Sequence, residues 1–156
     1  MKKLTNEQYN NLYATILFSE EYSRNYGCVT IEAKTYKFSW QSDLIKPQIE
    51  FLKPNILGIG IDQHFCLLNT KIDEHAILLL DTFFSFMIAS ETLVFVVCET
   101  EILLVNIYSF KQEKKYIFND IIKNIDLTGH SMNVSFIDEE TIIIDLTDEN
   151  CIYLNL

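Results

Sequence analysis

The sequence comprises 156 residues, 49% of them hydrophobic, with only four glycines and two prolines. It is therefore long enough to bury a sizeable core and too apolar for a disordered chain. The formal net charge of −10 lies in residues 56–156, because the first 55 residues carry seven basic and six acidic side chains. Such a negative field repels phosphate backbones and attracts cationic partners, which disfavours direct nucleic-acid binding. We expect a single domain spanning residues 1–156.

Three further features concern the cellular compartment. The cysteines lie singly inside apolar runs, which is typical of buried thiols in a reducing compartment: Cys28, Cys66, Cys98 and Cys151. The N-terminal segment MKKLTNEQYNN is polar and lacks the apolar stretch of a secretory signal. Acidic residues interrupt the apolar region 76–107 before any uncharged run reaches the ~18 residues that a membrane helix needs. We expect a cytoplasmic protein that has no membrane-spanning segment.

The chain opens with a helix-start pattern. Thr5 is placed as N-cap, Gln8 completes a capping box, and Leu4 and Tyr9 are spaced as a hydrophobic staple. Apolar residues then continue at helical spacing through Leu17. The sequence predicts a helix over residues 6–19.

Strand signals follow the predicted helix. The segment Cys28–Trp40 mixes β-branched and aromatic residues and predicts one or two strands. Pro47 and Pro54 bracket a predicted connector, QIEFLK. From Ile56 onward, short apolar runs alternate with polar turns, and most are apolar at consecutive positions, which indicates strands covered on both faces. Antiparallel hairpins stacked in series fit this pattern better than a sandwich with one wet face.

An internal repeat supports the stacked arrangement. Residues 91–107, ETLVFVVCETEILLVNI, resemble residues 140–156, ETIIIDLTDENCIYLNL, 49 positions later, and FCLLNT with AILLLDT gives a looser copy upstream. Repeats of tens of residues mark supersecondary units that bury their faces on one another. The segment Val134–Leu156 resembles a β-propeller repeat, with Leu154-Asn155 in the place of the terminal Trp-Asp pair. Earlier in the chain, Val105-Asn106 and Leu80-Asp81 occupy the position that corresponds to the Trp-Asp pair. The Gly-His dipeptide of such repeats occurs only once, at Gly129-His130.

The resemblance covers residues 56–156 and implies two to three blades, whereas closed propellers use about four or more. The predicted fold is therefore mainly β with an N-terminal α-helix, an open and incomplete β-propeller-like array of antiparallel hairpins. Residues 1–55 would supply the helix and the first strands, and residues 56–156 the repeated blades. Because the terminal sheets of an open array expose apolar faces, the N-terminal helix is the candidate cap.

Catalytic and metal signals are weak. His64 and Cys66 share one face of a predicted strand and could form half of a nucleophile–base pair or of a metal site, but the sequence near them supplies no orienting acid and no further ligands. Gly58-Ile59-Gly60 lacks the third glycine of a nucleotide-binding turn, and close strand packing explains it better. We therefore expect no enzymatic activity, no catalytic residues, no cofactor and no bound metal. The alternative is an enzyme of an unrecognised family that uses His64 and Cys66.

The acidic turns are the main polar feature. Turns between strands often carry acids for solubility alone. In a repeat array, however, equivalent turns meet at one edge and can form a negative surface that steers a basic partner. The predicted partner-binding residues are Glu99, Glu101, Asp138, Glu139, Glu140, Asp148 and Glu149.

In size, charge and architecture the chain resembles immunity proteins of bacterial toxin systems, in particular those paired with contact-dependent growth inhibition toxins. The resemblance implies that the protein binds and neutralises a cognate toxin domain. Many such toxins are nucleases with basic substrate clefts, which suit an acidic inhibitor. The alternative is a generic protein–protein interaction or adaptor module, for instance one that takes a peptide at an open sheet edge.

Overall fold

The computed structural model describes residues 1–147 and 154–155, which form sixteen strands and one short helix. The strands make four sheets of four strands each. Sheet 1 contains the N-terminal elements in the spatial order β1-β3-β4-β2, with β2 parallel to β4. Its elements are β1 (Lys2–Leu4), α1 (Asn6–Asn11), β2 (Thr15–Phe18), β3 (Asn25–Ile31) and β4 (Lys34–Trp40).

Sheets 2 to 4 are antiparallel, and their strands follow one another in chain order. Sheet 2 consists of β5 (Gln48–Lys53), β6 (Ile56–Ile61), β7 (His64–Asn69) and β8 (Glu74–Leu79). Sheet 3 consists of β9 (Phe84–Ala89), β10 (Leu93–Cys98), β11 (Glu101–Asn106) and β12 (Gln112–Ile117). Sheet 4 consists of β13 (Ile122–Thr128), β14 (Ser131–Phe136), β15 (Thr141–Asp145) and β16 (Leu154–Asn155). The predicted connector QIEFLK is thus β5, and the regular sheets begin before Ile56.

The four sheets stack face to face through three apolar layers. Sheets 1 and 2 share a layer that includes Phe38 and Ile59. Sheets 2 and 3 share one that includes Phe65 and Val96, and a third layer joins sheets 3 and 4. Every residue of β6 is buried, which explains the consecutive apolar positions. The predicted architecture of stacked hairpins is confirmed, and in the described residues no strand pairs sheet 1 with sheet 4.

The helix begins as predicted and ends earlier. Thr5 is the N-cap, and both hydrogen bonds of the capping box are present. The helix stops at Asn11, and Thr15–Phe18 pairs with β4 as a strand. The predicted extent to residue 19 is therefore wrong. Pairing in the sheet buries Leu17 and Phe18 against sheet 2, and this tertiary contact outweighs the local helical periodicity.

The short helix covers the outer face of sheet 1. Tyr9 packs with Leu4 and Cys28 in a small buried cluster. Buried Lys37 lies below the C-terminal end of the helix, and its Nζ donates to the carbonyl oxygens of Tyr9 and Leu12, at 2.8 Å each. These carbonyls lack partners within the helix and carry partial negative charge, so they stabilise the buried ammonium. The helix therefore caps sheet 1. The apolar face of sheet 2, which the helix was predicted to cover, is covered by the strands of sheet 1.

Sheet 4 closes the other end of the stack with polar residues. Its inner face carries buried Met132 and Val134, whereas the alternate residues Ser131, Asn133 and Ser135 are only half-buried and point away from sheet 3. The outer face of β14 is therefore more polar than the face that packs on sheet 3.

The true repeat differs from the one inferred from the sequence. The second strands of sheets 2, 3 and 4 begin at Ile56, Leu93 and Ser131, so they recur after 37 and 38 residues. The 49-residue alignment instead superimposes β10 on β15 and β11 on β16, which occupy different places in their sheets. That alignment is wrong by one strand, because buried strands share the same apolar composition.

Candidate protein-binding surface

One end of the stack, here called the cleft end, is formed by equivalent turns of successive sheets. It comprises the turns 62–63, 99–100 and 137–140, the linkers 80–83 and 118–121, and the loops 19–24 and 41–47 of sheet 1. Backbone hydrogen bonds tie these pieces together: Phe84 N to Asp62 O (2.6 Å), Glu99 N to Phe83 O (2.9 Å), Ile122 N to Glu99 O (2.7 Å) and Ile137 N to Ile121 O (3.1 Å). The turns therefore form one continuous surface across sheets 2 to 4.

Asp62 fixes the loop that leads from sheet 1 to this surface. It occupies the β6–β7 turn with φ of 48°, and only 4% of the residue is exposed. Its Oδ2 accepts hydrogen bonds from the backbone N–H groups of Gln41 (2.8 Å) and Ser42 (3.0 Å). In the same loop of sheet 1, Leu44 is 96% exposed to solvent.

Glu101 makes the corresponding connection one sheet later. Its Oε1 accepts from the backbone N–H groups of Asp81 (2.8 Å) and Thr82 (3.3 Å), and its Oε2 lies 2.5 Å from Lys115 Nζ. The residue is 1% exposed. A carboxylate that is buried and paired in this way is a structural anchor, so the predicted role of Glu101 in contacting a partner does not fit the structure.

The other predicted partner-binding acids fall into two groups. Glu99 is exposed in the β10–β11 turn, and Asp138, Glu139 and Glu140 are exposed in the β14–β15 turn. These four residues lie at the cleft end. The 49-residue repeat instead groups Glu99 and Glu101 with Asp148 and Glu149. Asp148 and Glu149 lie outside the described residues, so their predicted grouping with Glu99 stays a prediction.

An open cleft of about 1180 Å³ separates sheets 1 and 2 at this end. Its lining is strongly acidic and includes Glu20, Glu21, Asp43, Asp62 and Glu99. Arg24 is the basic residue of the lining, and its Nη1 lies 3.4 Å from Asp43 Oδ2. The remaining acids keep an excess of negative charge in the cleft.

His64 and Cys66 differ sharply in their surroundings. Both side chains lie on one face of β7, as the spacing predicted, and that face packs on sheet 1. His64 stacks on Phe18 with ring centroids 5.0 Å apart, and its Nδ1 lies 3.1 Å from Glu20 Oε1. Cys66 is fully buried, and burial raises the pKa of its thiol to about 12. A protonated thiol without access to solvent is not a nucleophile.

In the part of the chain that the structure describes, no helix could cross a membrane and no cluster of metal-binding side chains is found. The short α1 helix falls far below the length and apolarity that a bilayer crossing requires. Within the same residues, no cluster of three or more His, Cys, Asp or Glu side chains is arranged to hold a metal ion.

Exposed apolar side chains accompany the acids at the cleft end. Leu44 and Ile45 extend from the loop after β4, Phe83 and Ile121 lie in the two linkers, and Ile137 lies in the last turn. Between 46% and 96% of each residue is exposed. Sequence reasoning missed them. Their signal is an apolar residue that directly adjoins an acidic turn or linker, as in Ile121 after Asp120 and Ile137 before Asp138.

Comparison with known proteins identifies the fold. No family model matches the sequence, and no curated protein matches it significantly. Among solved structures, the chain is similar to the β-propeller domain of Myceliophteria thermophila Cps50 (Swd1), with a TM-score of 0.59, 14% identity, and coverage of 70% of this chain and 37% of that one. It is similar to apo AztD from Citrobacter koseri, with a TM-score of 0.56, 9% identity, and coverage of 91% and 47%.

Saccharomyces cerevisiae Sqt1 is a third similar structure, with a TM-score of 0.52, 16% identity, and coverage of 72% of this chain and 34% of that one. The chain thus spans between a third and a half of the length of these proteins. The predicted fold class, mainly β with an N-terminal helix in an open, propeller-like array, is confirmed.

Proposed function

We propose that this chain is a non-catalytic protein-binding module that docks a basic protein on its cleft end. The observation that carries the proposal is the combination, on one continuous surface, of exposed apolar residues with acids that form no salt bridge among the described residues. Phe83, Ile121 and Ile137 are each about half exposed or more, and Glu99 and Asp138 adjoin them. An isolated exposed apolar residue is ordinary, whereas a row of them rimmed by charge is typical of an interface.

The two kinds of residue would contribute differently. Apolar side chains at the centre of an interface supply most of the binding free energy once water is excluded from them. Acids around them set specificity and raise the association rate for a partner of opposite charge. The hydrogen-bonded backbone of the cleft end holds both groups in place before binding, which lowers the entropic cost of association.

A narrower form of the proposal names the partner as a bacterial toxin domain. In this form the chain is an immunity protein, and the basic partner is a toxin, for example a nuclease, whose substrate cleft the acidic surface covers. The size and acidity of the chain and its array of blades support this form, together with the surface charge described above. The broader proposal of a protein-binding module does not depend on it.

Site-specific photocrosslinking in the native host tests the broader proposal. A benzophenone amino acid placed at Phe83 and, separately, at Ile137 should capture the same basic protein. The same probe at Ile77 is the control, because Ile77 is 43% exposed on the lateral edge strand β8. Capture from Ile77 alone would instead support a peptide that adds to the sheet edge.

Binding measurements on the captured partner complete the test. Phe83→Ser should weaken binding roughly tenfold or more, as expected for a central apolar contact. The association rate should fall as salt rises, because the acids act through a screened field. If the partner is a toxin domain, co-expression of the wild-type chain should restore growth and the Phe83→Ser variant should restore it less. A partner without toxicity would remove the narrower form and leave the broader one.

A further inference from the structure

The base of the cleft contains a carboxylate oxygen without a partner. Asp62 lines the cleft and is 4% exposed. Its Oδ2 holds Gln41 and Ser42, but its Oδ1 is buried and receives no hydrogen bond from any described residue. Leaving such an oxygen unsatisfied costs free energy, more so when it is ionised. The arrangement therefore lacks a donor at this position.

The neighbouring groups do not supply that donor. Glu20 lies beside Asp62, and burial, with a further contribution from the Asp62 charge, raises the pKa of Glu20 even though His64 opposes the shift. His64 Nδ1 is directed at Glu20 and is itself buried without an aligned hydrogen bond. The charge of Asp62 disfavours ionisation of Glu20, and a cation in contact with both carboxylates would relieve that repulsion.

The shape and lining of the cleft indicate which cation fits. A metal ion is disfavoured, since the described residues provide no set of three metal-binding side chains there. A guanidinium group is planar, carries five donors, forms paired hydrogen bonds with carboxylates and stacks on aromatic rings. Half-exposed Phe83 and exposed Tyr22 border the same cleft. An ammonium group offers no comparable planar match.

We propose that the cleft between sheets 1 and 2 receives the guanidinium group of an arginine side chain, with the carboxylates of Asp62 and Glu20 as its acceptors. Because Asp62 Oδ1 is covered in the free chain, the incoming guanidinium has to displace the atoms that cover it. The arginine belongs to the basic protein that docks on the cleft end, so the inference rests on the proposed function. Arg24 is paired with Asp43 and has no ion pair with Asp62 or Glu20 in the described residues.

Binding of short peptides to the full chain tests the inference directly. The probes are three capped tripeptides, Gly-X-Gly, in which X is arginine, lysine or the uncharged analogue citrulline. In two-dimensional amide NMR spectra, the arginine peptide should shift the signals of Gln41, Ser42 and Gln63. The lysine peptide should bind more weakly, and the citrulline peptide should leave the spectrum unchanged.

Asp62→Asn is the decisive variant. Asparagine can still accept the bonds from Gln41 and Ser42 through its oxygen and tolerates the positive φ at this position. It replaces the free oxygen with a donor and should weaken arginine binding roughly tenfold or more. Asp120→Asn is the matched control, because Asp120 is an exposed acid at the same end outside the cleft. Should Asp62→Asn unfold the protein, Glu20→Gln serves in its place.

The outcomes separate the inference from the proposed function. The arginine site would be overturned if the citrulline peptide bound as tightly as the arginine peptide. It would also be overturned if the arginine peptide caused the same shifts in wild type, Asp62→Asn and Glu20→Gln. If the lysine peptide bound as tightly as the arginine peptide, the selectivity for guanidinium would be overturned. Cleft binding of the arginine peptide without any protein captured at Phe83 or Ile137 would retain the site and remove the docking proposal. If a captured partner bound Asp62→Asn and the wild type with the same affinity, the docking proposal would stand and the arginine site would be removed.

Discussion

Gly60 offers a sharp test of how sheets 2 and 3 pack. A methyl group added at this buried position would lie 2.3 Å from Cζ and 2.4 Å from Cε2 of Phe84. The Phe84 ring is buried and stacks against Phe65, with centroids 6.2 Å apart, so it has little room to retreat. Overpacking of a core costs about 1–3 kcal/mol, and alanine returns about 0.4–1 kcal/mol through the entropy of the unfolded chain. Gly60→Ala should therefore lower the free energy of unfolding by about 1–2 kcal/mol.

Gly58→Ala is the matched control. There the added methyl group would meet Sδ of Met87 at 2.7 Å and Cδ1 of Leu52 at 3.1 Å, which are the ends of flexible side chains. We expect less than half of the loss seen for Gly60→Ala. Urea unfolding measures both variants, and an unchanged m-value would show that the midpoint shift reports stability.

A double-mutant cycle identifies the clash itself. Phe84→Leu shortens the side chain that opposes Gly60, so the combined variant should lose about 1 kcal/mol less than the two single losses add up to. Additive losses, or a Gly60→Ala variant as stable as wild type, would refute the packing described for sheets 2 and 3.

Three further outcomes are expected. Lys37→Met leaves two carbonyls at the helix end without a donor and should destabilise the fold by about 1–3 kcal/mol. The control Lys34→Met removes an exposed ion pair and should destabilise it by about 0–1 kcal/mol. Equal urea midpoints for the two variants would contradict this. Burial and a hydrogen bond donated to Asp73 raise the pKa of Tyr36 to about 12. The raised pKa of Tyr36 thus stabilises the folded state below pH ~10, and this stabilisation should be lost between pH ~10 and ~12. Urea midpoints measured over this range should show the loss in wild type and not in Tyr36→Phe. Iodoacetamide should label Cys66 only after unfolding, and rapid labelling of the native protein, detected by mass spectrometry, would disprove its burial.

The sequence predicted the architecture better than its register. Consecutive apolar positions in runs such as Ile56–Ile61 reflect burial on both faces, which is a property of the sheet stack as a whole. Register depends on which strand pairs with which, and the apolar composition of β10 and β15 is too similar to distinguish a second strand from a third. The helix prediction failed for a related reason, because Ile16 and Leu17 satisfy a helical period locally while pairing with β4 decides their structure.

The candidate site was predicted only in part. The acidic turns could be located from the sequence, but the 49-residue alignment related the turn of Glu99 to Asp148, whereas in the structure its equivalent is the turn that contains Asp138. The burial of Glu101 could not be foreseen, since its carboxylate is engaged by Lys115 and by two backbone groups of the preceding linker. The acid beside His64 comes from Glu20, 44 positions earlier in the chain, and such a contact becomes visible only once sheet 1 is placed on sheet 2.

The serial stacking of the sheets determines how a bound ligand would stabilise the molecule. Among the described residues, each sheet shares its apolar layers with the sheets next to it in the chain. Folding cooperativity is therefore transmitted from each sheet to its neighbours. A ligand held between sheets 1 and 2 would slow hydrogen exchange there most strongly and in sheet 4 least. Occupancy of the cleft would thus leave a graded signature along the polypeptide.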